Sequence, residues 1–176
     1  MYQSKFFGWM LTLTVAMLIA ASAWADDDDE RSEHRYHGES RGKGISPVKN
    51  KLYQSECGAC HFAFQPGFLP ADSWQKMMGS LDQHFGENAE LVPQKRDAIR
   101  DYLVANASTR KISGSPQRIT ELSFFRREHR EIPDRLVKGN PKVRSLANCQ
   151  TCHTGAANAD FNEHRVSIPG YGRWDD

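Results

Sequence analysis

Cys57-Gly58-Ala59-Cys60-His61 and Cys149-Gln150-Thr151-Cys152-His153 are two copies of CxxCH, and together they use every cysteine in the chain. CxxCH is the attachment pattern of c-type haem. The reason is geometric: two thiols three positions apart add to the two vinyl groups on one haem edge. The next residue then places an imidazole beneath the iron. A zinc site made from two CxxC pairs would leave His61 and His153 unexplained. A thioredoxin-like redox pair would want a βαβ context and one copy. Disulfides are the usual fate of cysteines in an exported protein, but this spacing argues against them. The motifs therefore imply two covalently attached haem c groups, held through Cys57, Cys60, Cys149 and Cys152, with His61 and His153 as proximal iron ligands.

The composition points the same way. The 176 residues carry 23 Lys+Arg against 22 Asp+Glu, a net charge of +1, so the chain shows no preference for nucleic acid. Mean hydropathy is -0.67, too polar for a protein with several membrane spans. Much of the apolar content sits at the start. Lys5 is followed by the run FFGWMLTLTVAMLIAA, then by Ala23-Trp24-Ala25 and DDDDE. That order predicts a signal peptide over 1–25, cleaved after Ala25, and a periplasmic location. Residues 26–44 have almost no apolar content and are expected to be a disordered acidic and polar tail, with the His34/His37 pair solvated. What remains is thin for a core built from side chains alone. Two buried porphyrins would supply the missing apolar volume, since domains of 60–75 residues rarely obtain more than about 3–5 kcal/mol from their own cores.

The motifs lie 92 residues apart in unlike surroundings, ECGACHFAF and NCQTCHTGA, so two unlike haem-binding lobes are expected. The first spans 45–108. Ser46-Pro47 reads as the start of a helix over VKNKLYQSE that delivers Cys57. Asp72-Ser73 reads as the cap of a helix over WQKMMGSLDQHF. Trp74, Met77, Met78, Leu81 and Phe85 share its apolar face, His84 lies at the edge, and Gly86 ends it. Pro93 begins another helix, with Ile99, Tyr102 and Leu103 on one stripe. ASTRKISGSPQ is the linker. In the second lobe, 109–176, Thr120 caps a helix over ELSFFRREHREI that Pro133 stops, with Leu122, Phe125, His129 and Ile132 on one face. The rest reads as short helix and coil, with nothing arguing for a substantial sheet.

Distal ligands must come from His34, His37, His84, His129, His164, Met77 or Met78. A Met-and-aromatic stripe is more often core than ligand, which favours His84 over Met77 and Met78 for the first iron. His129 sits on an apolar helix face and is favoured for the second. His164 remains its rival, because the ten residues separating it from His153 can stretch about 33 Å at ~3.3 Å per residue. Which distal histidine serves which haem stays open at this point. Arg118, Arg126, Arg127 and Arg130 cluster near the distal helix, where propionate pairing, docking and plain solvation are all open readings.

At these residues the chain resembles the dihaem cytochromes c. The likeness runs from about Tyr53 to Pro169 and rests on three stretches. They are YQSECGACHFAFQPGFLPADSWQKMMGSLDQHFGENAEL, RIT followed by FFRREHREI, and NCQTCHTGAANADFNE closing at IP. The resemblance implies a mainly α fold: a class I cytochrome c-like N-terminal haem domain and a second small α/coil haem-binding domain. It also implies bis-histidine low-spin ligation, supporting His84 and His129. The acceptor it implies is a small oxygen-binding monohaem cytochrome c.

Histidine on both faces leaves no open iron position, and it removes the Met ligand that raises potential. The sequence therefore predicts a periplasmic carrier, not an enzyme, passing single electrons from a membrane-bound donor to a soluble haem acceptor. After signal removal it would not be an integral membrane protein. The alternative is a small dihaem peroxidase or gas-binding haem enzyme with one labile distal ligand.

Overall fold

Asn50 starts the first helix. Its backbone is extended and its side-chain oxygen accepts from the Tyr53 amide at 2.9 Å, so α1 runs Lys51–Cys57 and delivers Cys57 on its last turn. The expected start at Ser46-Pro47 is corrected: residues 46–50 are coil, because Asn50 satisfies an orphan amide of the first turn. Gly58 closes α1, and a Cβ there would collide with the Gln54 carbonyl oxygen, so the first variable position of this CxxCH needs glycine. The computed structural model describes residues 45–174. The expected signal peptide over 1–25 and the tail over 26–44, including His34 and His37, lie outside the described residues.

The next helix, α2, spans Ala71–Met78 and ends at Gly79, short of the Gly86 stop expected from the apolar stripe. A 3-10 turn follows at Leu81–Gln83. The chain then reverses through His84, Phe85 at φ 55° and Gly86 at φ 101°. His84 is thus presented by a tight turn, not by a helix face. Phe85 leaves the stripe and is 46% exposed. Helix α3, Pro93–Ala105, begins with proline at its first position as expected. Its Ile99 and Leu103 pack with Trp74 and Met78 of α2.

Beyond Ser108, a 3-10 turn at Ile119–Glu121 leads into α4, Ser123–Glu128, for which Leu122 and not Thr120 holds the cap position. His129 is the C-cap of α4, so this helix also ends before the expected Pro133. Pro133 instead caps the short α5, Asp134–Val137. The second CxxC is itself one turn, α6 at Cys149–Cys152. Turns at Ala156–Asn158 and Glu163–Arg165 follow, then β1, Ser167–Ile168, antiparallel to β2, Gly172–Arg173. The described residues are mostly helical with this one small hairpin. No helix among them is long and apolar enough to cross a membrane.

The buried apolar residues form two clusters. The larger holds Val48, Tyr53, Phe68, Leu69, Trp74, Met78, Leu81, Ile99 and Leu103 together with Ile119, Leu122 and Phe125. It therefore crosses the position, 108/109, where the linker was expected to divide two lobes. Ser108 itself donates to the Leu69 carbonyl at 2.8 Å. The smaller cluster holds only Val137, Val143, Val166 and Ile168.

Candidate functional site

Two buried polar tips fasten the segment that follows the first motif. The Tyr53 hydroxyl donates to the Phe64 carbonyl and the Trp74 indole N–H to the Pro66 carbonyl, both at 2.8 Å. Burial, with smaller contributions from Cys57 and Tyr102, raises the Tyr53 pKa, which keeps it a neutral donor. The loop carrying His61 is held against the core this way, while His61 itself stays exposed. The turn after α2 brings His84 to it: the two imidazole centroids are 6.0 Å apart with planes inclined by 18°.

A second pair forms independently. His129 at the end of α4 lies 6.1 Å from His153, and their planes are inclined by 70°. The Phe125 ring stacks on His129 at 3.9 Å and 11°, one helical turn before it. A metal–imidazole bond is about 2.0–2.1 Å, so an ion held between two rings separates their centroids by roughly 6 Å. Both pairs fit an iron between them.

Proton positions agree. The Nδ1 atoms of His61 and His129 lie 2.8 Å from the carbonyls of Phe62 and Phe125. A carbonyl only accepts, so each Nδ1 carries the proton and each Nε2 keeps the lone pair that binds metal. Burial is the largest influence on three of the four rings. It lowers the pKa of His84, helped by His61 and Arg118, and that of His129 against the Phe125 carbonyl and Glu128. His153 falls to about 4, through burial and then His129, with Asp160 opposing. Neutral imidazole is the ligating form.

No disulfide joins the four cysteines. Burial pushes Cys57 and Cys149 up to about 11 and raises Cys152 as well. Such thiols are poor thiolates, the opposite of what a redox pair of the thioredoxin kind needs. Nor are the two motifs drawn together into one metal cluster, since the described residues contain no group of three or more His, Cys, Asp or Glu placed to hold an ion.

The rival ligands are placed elsewhere. His164 stands in solvent beside Glu163, and Met78 is buried in the larger cluster with Met77 packed against it. Of the arginines, Arg127 and Arg130 meet Glu128 and Glu131, while Arg118 meets Glu121 at 3.7 Å and lies 4.1 Å over the Phe85 ring. Exposed pairs of this kind contribute little.

Three features were not read from the sequence. Gln65 is fully buried and its amide donates to the Ala156 carbonyl, tying the segment after His61 to the segment after His153. Phe161 sits edge-on to both His153 and Phe68, 5.4 Å from each. Asp160 stands beside the proximal face of the second pair. The Gln65–Ala156 and Phe68–Phe161 contacts join distant parts of the chain, so no local pattern signals them, whereas Asp160 and Phe161 follow His153 within the same segment. The Phe125–His129 stack was within reach, since the two share a helix face.

A family model described as dihaem cytochrome c matches residues 53–161. The fold is similar to that of a solved dihaem cytochrome c from Shewanella baltica. That match has 47% identity and a TM-score of 0.67, over 73% of this chain and 99% of that one. It is similar also to a dihaem cytochrome c from Rhodobacter sphaeroides, at 40% identity and TM-score 0.61, over 66% of this chain and 99% of that one. A second structure from Rhodobacter sphaeroides gives 44% and 0.59, over 65% and 99%. No curated protein matches the chain.

Proposed function

The chain belongs to the dihaem cytochrome c family, and from that premise we propose that it is an exported, bis-histidine carrier of single electrons. Membership brings two covalently bound haem c groups and electron transfer in general. Bound haem supplies an iron that cycles between ferric and ferrous states.

In this reading Cys57 and Cys60 attach one haem and Cys149 and Cys152 the other, one in each half, 45–108 and 109–176, around a partly shared core. His61 and His84 hold the first iron, and His129 and His153 the second. The observation that carries the reading is the separation of the two ring pairs, 6.0 and 6.1 Å. With both axial positions filled by nitrogen, neither iron has a place for peroxide or oxygen. The Phe62 and Phe125 carbonyls fix two of the four rings, so little reorganisation accompanies a change of charge. Export through the signal over 1–25 would set the carrier in the periplasm, between a membrane-bound donor and a soluble monohaem cytochrome c acceptor.

Low-temperature electron paramagnetic resonance of the oxidised holoprotein tests the ligation. Two low-spin signals are expected, one from nearly parallel imidazoles and one from strongly crossed ones. His84→Ala should remove the first and His129→Ala the second. A high-spin iron in the native protein, or carbon monoxide binding to it, would favour a haem enzyme instead.

A further inference from the structure

His61 and His129 both give their Nδ1 proton to a main-chain carbonyl, whereas the Nδ1 atom of His153 is buried with no protein partner. Among the described residues it is the histidine nitrogen that is both buried and without a hydrogen-bond partner. Beside it lies a cleft of about 120 Å³ lined by His153, Thr154, Gly155, Asp160, Asn162 and Arg165. A space of that size with polar walls holds water readily, and buried water typically makes about three hydrogen bonds.

The acid in this cleft is fixed from several sides. One carboxylate oxygen of Asp160 accepts from Arg165 at 2.9 Å and the other from the Asn162 amide at 3.2 Å. Its own amide donates to the Gly155 carbonyl at 3.1 Å. The left-handed Ala159, at φ 57°, turns the chain back to make that closure. The side chain packs so tightly over Gly155 that a Cβ there would lie 2.8 Å from the Asp160 Cβ and 3.0 Å from Oδ2. Glycine at 155 is what lets the carboxylate come this close to His153.

We propose that Asp160 is the outer partner of His153, its carboxylate in the same cleft making His153 a stronger donor to iron than the ring would be without it. A carboxylate in this position raises the donor strength of a metal-bound imidazole, and hydrogen bonding around the ligands is one of the levers by which a protein sets a haem potential. A stronger donor favours ferric iron. Asp160 therefore lowers the potential of the second haem relative to the first, whose His61 has only a carbonyl partner. Asp160 is a positioning residue, since it acts through His153. The inference rests on the reading that His153 binds iron.

The test is a redox titration of the holoprotein followed by electron paramagnetic resonance, which reads the two haems separately. Asp160→Asn keeps the shape and removes the charge. At a fixed potential it should lower the oxidised-to-reduced ratio of the second haem about tenfold, a rise of about 59 mV for one electron, and leave the first unchanged. Gly155→Ala leaves all charges in place but displaces Asp160, and should shift the second haem in the same direction. Equal shifts in both haems, or none in either, overturn the proposal while the ligation stands. A second haem that is not low-spin in the native protein removes the ligation and the proposal together. The native ferrous protein gives a readout free of folding effects. With ¹⁵N-labelled histidine, the His153 Nδ1 resonance should lie nearer the imidazolate end than those of His61 and His129. Three alike would refute the assignment.

Discussion

The two histidine pairs differ by 0.1 Å in separation and by almost everything else. The first pair stands at the surface, with His61 exposed and His84 carried by a turn between two glycines, yet the core beneath it has twelve buried residues. The second is enclosed, with Phe125 of that same cluster stacked on one ring and Phe161 edge-on to the other, and it also borders a separate cluster of four. The two sites thus draw on one shared core. The second also borders the small cluster, against which Cys152 packs, and there a prosthetic group would add the larger share of apolar volume. Apolar volume is interchangeable between side chain and porphyrin, and this chain divides the supply unequally.

The most severe way to break that contrast is to remove one attachment at a time. Cys149→Ser with Cys152→Ser should leave residues beyond α4 without stable structure while α2 and α3 keep their packing. Cys57→Ser with Cys60→Ser should cost much less helicity. Circular dichroism and limited proteolysis distinguish the two, and equal losses would refute the contrast. Protein made without either haem should be poorly folded throughout.

Phe125→Ala comes next. It deletes a ring from the larger cluster and uncovers His129, so about 3–5 kcal/mol of stability should be lost by urea denaturation. Carbon monoxide should then gain access to the second haem but not the first. Accessibility at both would show that Phe125 does not act locally.

The sequence made the histidine pairs legible and the elements carrying them only partly so. An iron's need for a sixth partner points to His84 and His129, and each ring lies beside a motif histidine. The apolar stripes overrun the helices in both cases. An apolar stripe through Leu81 to Phe85 has helical spacing, but Gly79 ends α2 and Gly86 takes a left-handed φ, so the chain turns instead. Periodicity describes which side chains are oily and says nothing about where an imidazole must be delivered. Likewise Ser46-Pro47 has a proper start signal, but Asn50 also has one, and its bond to Tyr53 is the one that forms. The linker at 107–117 looked like a boundary because it is polar. Burial of Ile119, Leu122 and Phe125 against residues 48–103 is a long-range fact, invisible to composition.

A milder perturbation sharpens the link between the halves. Gln65→Leu removes one of the two donors to the Ala156 carbonyl, which keeps its bond from the Ala159 amide, a loss of about 0.5–1.5 kcal/mol. The two haem spectra, which should change together on denaturation of the native protein, should then change at separate urea concentrations. The smallest effect is expected at Arg118→Gln. Its contact with the exposed Phe85 ring contributes about 0.5–1 kcal/mol, and the first haem should stay low-spin. A larger loss would mean that Arg118 holds the His84 turn in place.

The cluster that runs from Val48 to Phe125 has a bearing on biogenesis. Contacts so distant along the chain form late, after the intervening segments have been ordered. When the first CxxCH has been synthesised, part of the core that will pack against its surroundings, Ile119 to Phe125, is still some sixty positions behind it in the chain. Its thiols therefore precede in the chain the last of the side chains that complete the interior beside them.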